Sequence, residues 1–482
     1  MTKKKFYVTT AIDYVNAAPH IGHAYQKIIA DILARWHKLR GEDVFFLTGT
    51  DEHGQKNAKS AELVGLKPKE FVDNMAKKFK ETWEILDIDY SRFIRTTDKD
   101  HEQLVQKFIK KIKKDIYKGV YEGLYCVGCE AYITEKELVN RRCPFHPNKD
   151  IEILKEESYF FKLSKYQNAL LLFYKKNPEY ILPKKRSIEI INRVKDGLKD
   201  LSITRTSFKW GIPFPEDEEH VIYVWFDALL NYITALGWPD NVRFKRFWPA
   251  DIELLGVDNS WFHCVIWPAM LFSAKIKPAK TIFVHGFLTF NGQKISKSLG
   301  NTISPKVLVE KYSIDSVRYF ICRNFVFGED GDFSERALIE RYNNELADKL
   351  GNLISRVSTL AEKYGLERTE NRLIKRLKLK EIRMHMENYE LDKALNLIFE
   401  FIDSCNLYVQ ENKPWETKDK RILYELTDSI KAVSILLFPF IPSSIEKVAK
   451  NFNFKIEWGA IEKPLGAVRI KKQEILFKKI NV

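Results

Sequence analysis

The sequence contains few cysteines, no apolar run long enough to span a bilayer, and no internal repeat or low-complexity linker. Six cysteines occur among 482 residues, and three of them, Cys126, Cys129 and Cys143, lie close together. So few cysteines, half of them clustered, exclude a disulfide-stapled secreted fold. They favour metal binding in a reducing compartment.

The amino terminus also lacks a signal peptide, because Met1 to Lys5 lead into a strand pattern and not into an apolar helix. We therefore expect a cytoplasmic protein that does not associate with membranes. Acidic residues are outnumbered, since 79 lysines and arginines against 65 aspartates and glutamates give a formal net charge of +14. Such a surface improves solubility, and on an enzyme it also favours a polyanionic partner such as a nucleic acid.

The first residues predict a strand, a turn and a helix. Residues 6–10 are β-branched and aromatic, which suits a short buried strand, and apolar residues between 28 and 36 recur at helical spacing. The turn between them contains His20-Ile21-Gly22-His23. In an open parallel sheet, such a turn lies where helix N-termini bind anions. Two imidazoles around a glycine therefore predict a phosphate site, with capping histidines as the structural alternative.

Strand and helix patterns divide the chain into five segments. Residues 43–47 are a second strand candidate, and 221–225 are expected to begin the second half of a doubly wound, Rossmann-type parallel sheet. The predicted fold class is α/β, with this sheet split by an insertion and followed by an all-α domain. The segments are 1–115 (first half of the sheet), 116–220 (insertion), 221–290 (second half), 291–335 (a lysine-serine loop region) and 336–482 (helical domain).

The insertion carries two pairs of metal-ligand residues. Cys126 and Cys129 form one pair and Cys143 and His146 the other, each with two residues between its members. This is the spacing of a tetrahedral zinc knuckle, although coincidence is the alternative. Three thiolates and one imidazole leave no open coordination position, so we expect a structural Zn²⁺ and not a catalytic one.

A second candidate for phosphate chemistry is Lys294-Ile295-Ser296-Lys297-Ser298, which follows a predicted strand at 281–285. Lysines in a loop can supply counter-charge to a leaving pyrophosphate, and the serines shape the loop. Taken alone, the loop is also typical of a solvated turn. Together with the histidine turn, at opposite ends of one sheet, it favours an adenylate-forming enzyme.

These two signatures and several longer blocks resemble methionyl-tRNA synthetases, which are class I aminoacyl-tRNA synthetases, over nearly the whole chain. The other matching blocks are 46–54, 209–213, 223–228, 262–269 and 413–416. The resemblance implies that ATP with Mg²⁺ activates methionine to methionyl-adenylate, and that the methionyl group is then transferred to the 3′ end of tRNA(Met). It also implies that the helical domain binds the anticodon.

The resemblance further implies residue roles. It implies catalytic roles for His20, His23, Lys294 and Lys297. It implies ATP contacts from His20, Gly22, His23, Gly256, Asp258, Lys294, Ser296 and Lys297. It implies an amino-acid site formed by Ala11, Ile12, Asp13, Tyr14, Asp51, Trp225, Ala228, Tyr232, Asn259, His263 and Trp267. It implies anticodon contacts from Asn352, Arg356 and Trp415.

Within these sets, Asp51 is expected to hold the ammonium group of the amino acid, and the aromatic rings suit a thioether. Ordinary core packing is the alternative for each ring taken singly. Asn352 and Arg356 are four residues apart and share one helix face, where they can reach splayed bases. Without the resemblance, a capping asparagine and a surface arginine would be the preferred interpretation.

Four positions depart from the family pattern. Val257 stands where the family has a lysine and Asn259 where it has an isoleucine, while Asp13 replaces proline or tyrosine and Ile295 replaces methionine. A buried unpaired carboxylate is costly, so Asp13 must be solvated, paired or in contact with substrate. Neutral drift is one explanation of these changes. Altered amino-acid choice or an altered ATP site is the other.

Two further functions therefore stay open. One is a class I synthetase paralogue with altered amino-acid specificity, and the other is a catalytically reduced tRNA-binding protein that keeps the fold. The second has no need of the histidine pair and the lysine loop. Because the chain ends soon after the helical segment, we also expect a monomer.

Overall fold

The computed structural model describes residues 3–129, 131–133, 135, 138–290, 292–294, 302–466 and 469–481. A seven-stranded sheet lies at the centre of the amino-terminal part, and every strand pair in it is parallel. Six strands follow one another in the spatial order Asp13–Tyr14, Asp43–Asp51, Lys5–Thr10, Ile252–Gly256, Ile282–His285 and Ile181–Leu182. The seventh, Arg92–Arg95, also pairs with Asp43–Asp51.

The sheet is covered on both faces, which suits the apolar runs 6–8, 44–47 and 282–284 in its strands. Phe6 and Val8 point into one core, with helices Ile21–Leu39 and Pro68–Ile85. Tyr7 points into the other core. The two central strands, Lys5–Thr10 and Ile252–Gly256, come from distant parts of the sequence. Their carboxyl ends therefore flank a topological switch point, where such folds bind ligands.

Helices fill most of the remaining chain. The described α-helices are Ile21–Leu39, Gln55–Leu63, Pro68–Ile85, Lys99–Lys111, Gln167–Lys176, Lys184–Lys195, Val224–Ala228, Asn231–Thr234, Val242–Phe247, Trp267–Ala274, Pro305–Tyr312, Ile314–Asn324, Glu335–Arg341, Asn352–Tyr364, Leu379–Glu387, Leu391–Asn412, Pro414–Thr417, Lys420–Leu437 and Pro442–Phe452. Two wider π-helical stretches are Phe262–Ile266 and Tyr342–Gly351. None of the helices in the described ranges combines the length and the apolar character that spanning a bilayer requires.

The insertion contains antiparallel sheets. The first pairs Ala131–Ile133, Ile116–Cys126, Ile151–Phe161 and Leu201–Ser202 in that order, and the second pairs Thr204–Arg205, Asp217–Ile222 and Pro213–Phe214. A third, small sheet of Gln293–Lys294, Leu288–Phe290 and Gly331–Phe333 follows the parallel sheet.

The structure corrects where the second half of the parallel sheet begins. Of the strand predicted over 221–225, only residues 221–222 are strand; they end Asp217–Ile222, which belongs to an antiparallel sheet, and the chain becomes helical at Val224. A short apolar run does not distinguish a strand from a buried helix. The predicted insertion also contributes to the parallel sheet, since Ile181–Leu182 forms its edge strand.

From Glu335 onwards the described chain contains helices and no strand, as expected. One fully buried side chain, Arg318, joins this part to the parallel-sheet part. Its guanidinium lies 2.5 Å from the Asp31 carboxylate in the first helix. It also donates to the carbonyl oxygens of Leu86, Pro439 and Phe440. The predicted α/β class with an all-helical carboxyl-terminal part is confirmed.

Candidate functional site

A cleft of about 1,730 Å³ opens at the carboxyl edge of the parallel sheet. One side is lined by the turn after Lys5–Thr10, and the other by the segments after Ile252–Gly256 and Ile282–His285. The cleft continues towards the cysteine cluster of the insertion, where Cys129 and His146 also line it. This is the position that a doubly wound sheet provides for a nucleotide.

His20 is the N-cap of the first long helix. Its Nδ1 accepts a hydrogen bond of 3.1 Å from the backbone N–H of Gly22, and its own backbone N–H donates to His23 Nδ1 at 3.2 Å. A Cβ on Gly22 would lie 2.9 Å from Cε1 of His20. Glycine is therefore required here because the capping ring lies against it, in addition to any close approach by a ligand.

These contacts fix the proton positions on both rings. Because each Nδ1 accepts from a backbone N–H, each neutral imidazole carries its proton on Nε2 and donates from there. Burial and the neighbouring His23 lower the pKa of His20 to about 3. Burial and Lys27 lower the pKa of His23 to about 3. Both rings are thus neutral donors at pH 7, at a helix N-terminus that favours anions.

The predicted ATP residues after Ile252–Gly256 also line the cleft. Gly256 caps a short turn, and a Cβ there would lie 2.8 Å from an Asp258 carboxylate oxygen. Val257, which stands in place of the family's lysine, is half-buried in the same wall. Lys294 ends the short strand Gln293–Lys294, whereas Ser296 and Lys297 lie outside the described residues.

The predicted amino-acid site forms one wall of the cleft. Ten of its eleven residues line it: Ala11, Ile12, Asp13, Tyr14, Asp51, Trp225, Ala228, Tyr232, Asn259 and His263. The Trp225 ring stacks on Phe262 with 4.0 Å between centroids. Trp267 differs from the expectation, because it is fully buried behind Tyr232, with 5.8 Å between the two ring centroids.

His263 is held by two hydrogen bonds. Its Nδ1 lies 3.0 Å from the carbonyl oxygen of Asn259, to which it donates, and its Nε2 lies 2.7 Å from the Tyr232 hydroxyl, from which it accepts. Burial lowers the pKa of His263 to about 4, so the ring is neutral. Its two ring nitrogens are therefore both satisfied by protein groups.

Asp13 is paired with a buried lysine. Lys27 Nζ lies 2.6 Å from Asp13 Oδ1 and also donates to the carbonyl oxygen of Ala11 and to Gln26 Oε1. Burial raises the pKa of Asp13 and lowers that of Lys27, and the ion pair opposes both shifts. Of the three possibilities for Asp13, the structure selects pairing.

Asp51 ends its strand and is buried in the cleft wall. The loop that follows is fixed by Asp227, whose two carboxylate oxygens each lie 2.7 Å from a histidine nitrogen, of His53 and of His101. Despite burial, the ion pair with Asp227 raises the pKa of His53. Asp227 belongs to the helix that carries Trp225 and therefore connects that helix to the loop after Asp51.

The four predicted metal ligands are brought together. The ligand atoms of Cys126, Cys129, Cys143 and His146 all lie within 4.8 Å of one another. Cys129 Sγ is 3.4 Å from Cys143 Sγ and 3.2 Å from His146 Nδ1. A Cβ on Gly128 would lie 2.4 Å from the His146 ring. Three sulfurs and one imidazole around one point are the donor set of a tetrahedral Zn²⁺ with bonds of about 2.0–2.3 Å.

The predicted anticodon residues lie far along the chain in the helical part. Asn352 begins helix Asn352–Tyr364 and is exposed, and Arg356 is half-buried one turn later. Trp415 is 37% exposed on the short helix Pro414–Thr417. Exposure of an aromatic ring on a positively charged protein is compatible with base stacking.

Four residues in or behind the cleft were not predicted as site residues. Lys27 and Glu253 occupy ordinary apolar patterns, in which a buried polar residue gives no signal of its partner. Asp227 lay within a matching block but had no assigned role. His285 lines the cleft at the end of its strand, a position that sequence order alone would have indicated.

The comparisons with known proteins agree with this geometry. A family model described as class I tRNA synthetases (M) matches residues 6–152 and 137–358, and one described as an anticodon-binding domain of tRNA ligases matches residues 372–477. The fold and the histidine turn at its cleft define a class I tRNA synthetase.

The similar curated proteins and solved structures indicate which class I tRNA synthetase family the chain resembles. The chain is 44% identical to the methionine–tRNA ligase of Thermotoga maritima, over 99% of this chain and 80% of that one. It is 42% identical to that of Rickettsia bellii, over 94% and 93%. Mycobacterium tuberculosis methionyl-tRNA synthetase in complex with methionyl-adenylate matches with a TM-score of 0.94 and 36% identity, over 98% and 99%. The chain belongs to the methionyl-tRNA synthetase family.

Proposed function

We propose that this chain activates methionine with ATP, releases pyrophosphate, and transfers the methionyl group to the 3′ end of tRNA(Met). One observation carries the proposal. A single cleft joins the His20–His23 pair at a helix N-terminus to an aromatic wall containing Tyr232 and His263. The two ends of an aminoacyl-adenylate need such neighbouring sites, one for phosphate and one for a side chain.

On the phosphate side, the two neutral imidazoles donate Nε2–H groups as charge develops on the α-phosphate and pyrophosphate. ATP enters with Mg²⁺ as part of the substrate. Lys294 and Lys297 supply the counter-charge for the leaving pyrophosphate. Each charge-assisted contact made mainly in the transition state contributes about 1.5–3 kcal/mol, so loss of one lysine lowers the rate roughly tenfold to a hundredfold.

On the amino-acid side, Asp51 binds the ammonium group and the rings of Trp225, Tyr232 and His263 surround the side chain. The Tyr232 hydroxyl and both His263 nitrogens bond to each other or to Asn259, as described above. A polar side chain placed against the His263 ring finds both ring nitrogens already bonded, whereas a thioether needs no such partner. These contacts support methionine over a polar amino acid.

The remaining parts serve the tRNA. We infer that the residues 126–146 hold a structural Zn²⁺ that stiffens the insertion beside the cleft, near the acceptor end. Asn352, Arg356 and Trp415 read the anticodon. The chain then divides into the five segments 1–115, 116–220, 221–290, 291–335 and 336–482. The segments 1–115 and 221–290 carry most of the parallel sheet.

We also infer a cytoplasmic monomer. The six cysteines are all free, and the three that lie outside the cysteine cluster, Cys264, Cys322 and Cys405, are buried singly, which suits a reducing compartment. Sedimentation of the purified protein at micromolar concentration tests the oligomeric state. A dimer would contradict this inference and leave the activity untouched.

The test of function is amino-acid-dependent ATP–pyrophosphate exchange with each of the twenty amino acids, followed by methionylation of tRNA(Met). We expect exchange with methionine far above the rest. Exchange with a polar amino acid would support the paralogue, and no exchange with any amino acid would support the reduced tRNA-binding protein.

Two variants address the departures from the family pattern. Asn259→Ile and Val257→Lys restore the usual residues in the cleft wall. Asp13 is explained by its pairing with Lys27, so Val257 and Asn259 are the departures among the described residues that have no structural explanation. We expect neither variant to improve methionine use by more than about threefold. A tenfold or larger gain in kcat/KM for methionine would show that specificity or ATP binding has shifted.

A further inference from the structure

Glu253 is a buried carboxyl group behind the aromatic wall of the amino-acid site. It lies in the central strand Ile252–Gly256 and is 1% exposed. Its Oε1 accepts a hydrogen bond of 3.2 Å from Nε1 of Trp267, and its Oε2 has no hydrogen-bond partner in the described part of the chain. Sheet packing does not require a carboxyl group here, because Leu255, the next residue on the same face of the strand, is apolar and fully buried.

A chain of contacts links this carboxyl group to the cleft. Trp267 packs on Tyr232, and the Tyr232 hydroxyl donates to His263 in the cleft wall. Tyr7, from the neighbouring strand, donates its hydroxyl to the Tyr232 carbonyl oxygen. The Trp267 ring therefore borders the Tyr232 ring, and the Trp267 indole has Glu253 as its polar partner.

The groups that face Glu253 do not neutralise a charge on it. They are Tyr7 of the adjacent strand, Tyr180 before the edge strand, Tyr232, and Cys264 of the π-helical stretch. Burial and the charge of Glu253 raise the pKa of each of these, so all stay neutral up to pH 9. His263 is neutral as well. No lysine or arginine in the described ranges lies within ion-pairing distance of Glu253.

Burial without a cation makes the protonated form of Glu253 the stable one. A fully buried, unpaired carboxylate costs several kcal/mol, and burial accordingly raises the pKa of Glu253 to about 8, which the Trp267 hydrogen bond partly opposes. In the protonated form, the carboxyl group still accepts from the Trp267 indole. Ionisation places a charge in an apolar layer and draws in water.

We propose that protonated Glu253 is a positioning residue, which holds Trp267 and through it Tyr232 in the arrangement that the methionine side chain requires. Ionisation of Glu253 disorders this wall and weakens methionine binding. The inference rests on the proposed use of methionine. It predicts an enzyme whose affinity for its amino acid falls at alkaline pH while its phosphate chemistry is retained.

The test compares wild type with Glu253→Gln in ATP–pyrophosphate exchange from pH 6.5 to pH 9. Glutamine keeps the shape and the acceptor for Trp267 but does not ionise, and both proteins share the titration of methionine's own amino group. We expect KM for methionine to rise about tenfold more in wild type than in the variant by pH 9, because about one molecule in ten is then protonated. KM for ATP should be equal in both.

Thermal unfolding gives a readout that does not depend on activity. Since the pKa is about 8 in the folded chain against 4.5 for an ordinary glutamate, the unfolded chain binds fewer protons between these values, and wild-type stability falls as pH rises. The Tm advantage of the glutamine variant should grow from pH 5 to pH 8 and then level off.

The outcomes separate the inference from the function. Parallel KM profiles, or a Tm difference independent of pH, overturn the positioning role while methionine-dependent exchange at pH 7 still stands. Absence of exchange at pH 7 in wild type overturns the function instead. If the glutamine variant does not fold, the wild-type carboxylic-acid infrared band is measured instead, and the inference requires that it fall to about a tenth of its pH 6.5 intensity by pH 9.

Discussion

At the scale of single residues, the ion pair with Lys27 gives a structural explanation for Asp13, one of the departures from the family pattern. The sequence limits Asp13 to three possibilities, because an isolated carboxylate cannot be buried cheaply. It does not identify Lys27, which lies in the predicted first helix, where side chains normally alternate between core and solvent. Lysine in such a pattern is expected on the solvated face, and its 0% exposure is a consequence of the tertiary fold.

Lys27→Met should destabilise the protein strongly. It leaves the Asp13 carboxylate buried without its cation, which typically costs about 3–5 kcal/mol of unfolding free energy. Asp13→Leu combined with Lys27→Met removes both charges, so we expect the double variant to recover at least half of that loss. Urea unfolding of the two variants and wild type at pH 7 measures the difference. A double variant as unstable as Lys27→Met would mean that Lys27 acts through its bonds to Ala11 and Gln26.

The two signature histidines have pKa values far below the usual 6.5, which gives a second residue-scale prediction. Because each has a pKa of about 3 in the folded chain, neither ring should titrate between pH 5 and pH 8. In the unfolded chain these rings bind protons below pH 6.5, whereas in the folded chain they bind them only below about pH 3. The free energy of unfolding should therefore rise with pH from about 3 to 6.5. NMR titration of histidine-labelled protein, with His20→Asn and His23→Asn used for assignment, checks this. A ring titrating near 6.5 would contradict the burial that lowers both pKa values.

At the scale of elements, the strand–turn–helix unit at the amino terminus was predictable and the start of the second half of the sheet was not. In the first unit an apolar strand, a helix-capping residue and a long stretch of helical spacing all predict the same strand–turn–helix structure. The run 221–225 has only its apolar character, which a buried helix shares. The helix Val224–Ala228 is stabilised by long-range contacts of Asp227 with His53 and His101, which no local pattern shows.

The turn itself can be tested at Gly22. Gly22→Ala places a methyl group 2.9 Å from the His20 ring and must move it from its capping position. We expect exchange activity to fall roughly tenfold to a hundredfold in kcat, with KM for methionine within about twofold of wild type, and a loss of about 1 kcal/mol in stability from the weakened cap. Steady-state exchange kinetics and urea unfolding measure both effects.

Gly459→Ala is the matched control for that variant. Its added Cβ has only the end of the Lys463 side chain nearby, at 3.8 Å. Activity and stability should stay within error of wild type. If Gly22→Ala behaved like this control, the His20 ring would not depend on the space that glycine provides.

At the scale of the whole molecule, Arg318 ties the helical part to the first helix of the sheet part. Its partners come from three separate segments around residues 31, 86 and 440, and it is 0% exposed. Arg318→Met should cost about 3–5 kcal/mol, because Asp31 and several carbonyl groups lose a buried partner. We expect the sheet part and the helical part to unfold in separate transitions, visible by calorimetry.

Arg336→Met is the control, since that side chain is 84% exposed and pairs with Glu340 one turn away, its one ion pair among the described residues. Its effect should stay within about 0.5 kcal/mol. A single transition at the wild-type Tm in Arg318→Met would show that the two parts are held together by their apolar contacts alone.

The edge strand Ile181–Leu182 limits how this protein can be shortened or rearranged. Although residues 116–220 interrupt the sheet in sequence, deleting them would uncover the backbone of Ile282–His285 and leave an open edge on which other chains can assemble. Engineers who wish to exchange the hairpin that carries the cysteine cluster for another module should therefore cut within 117–160 and keep the later residues. The first half of the insertion forms its own antiparallel pair, whereas the second half supplies a strand of the parallel sheet.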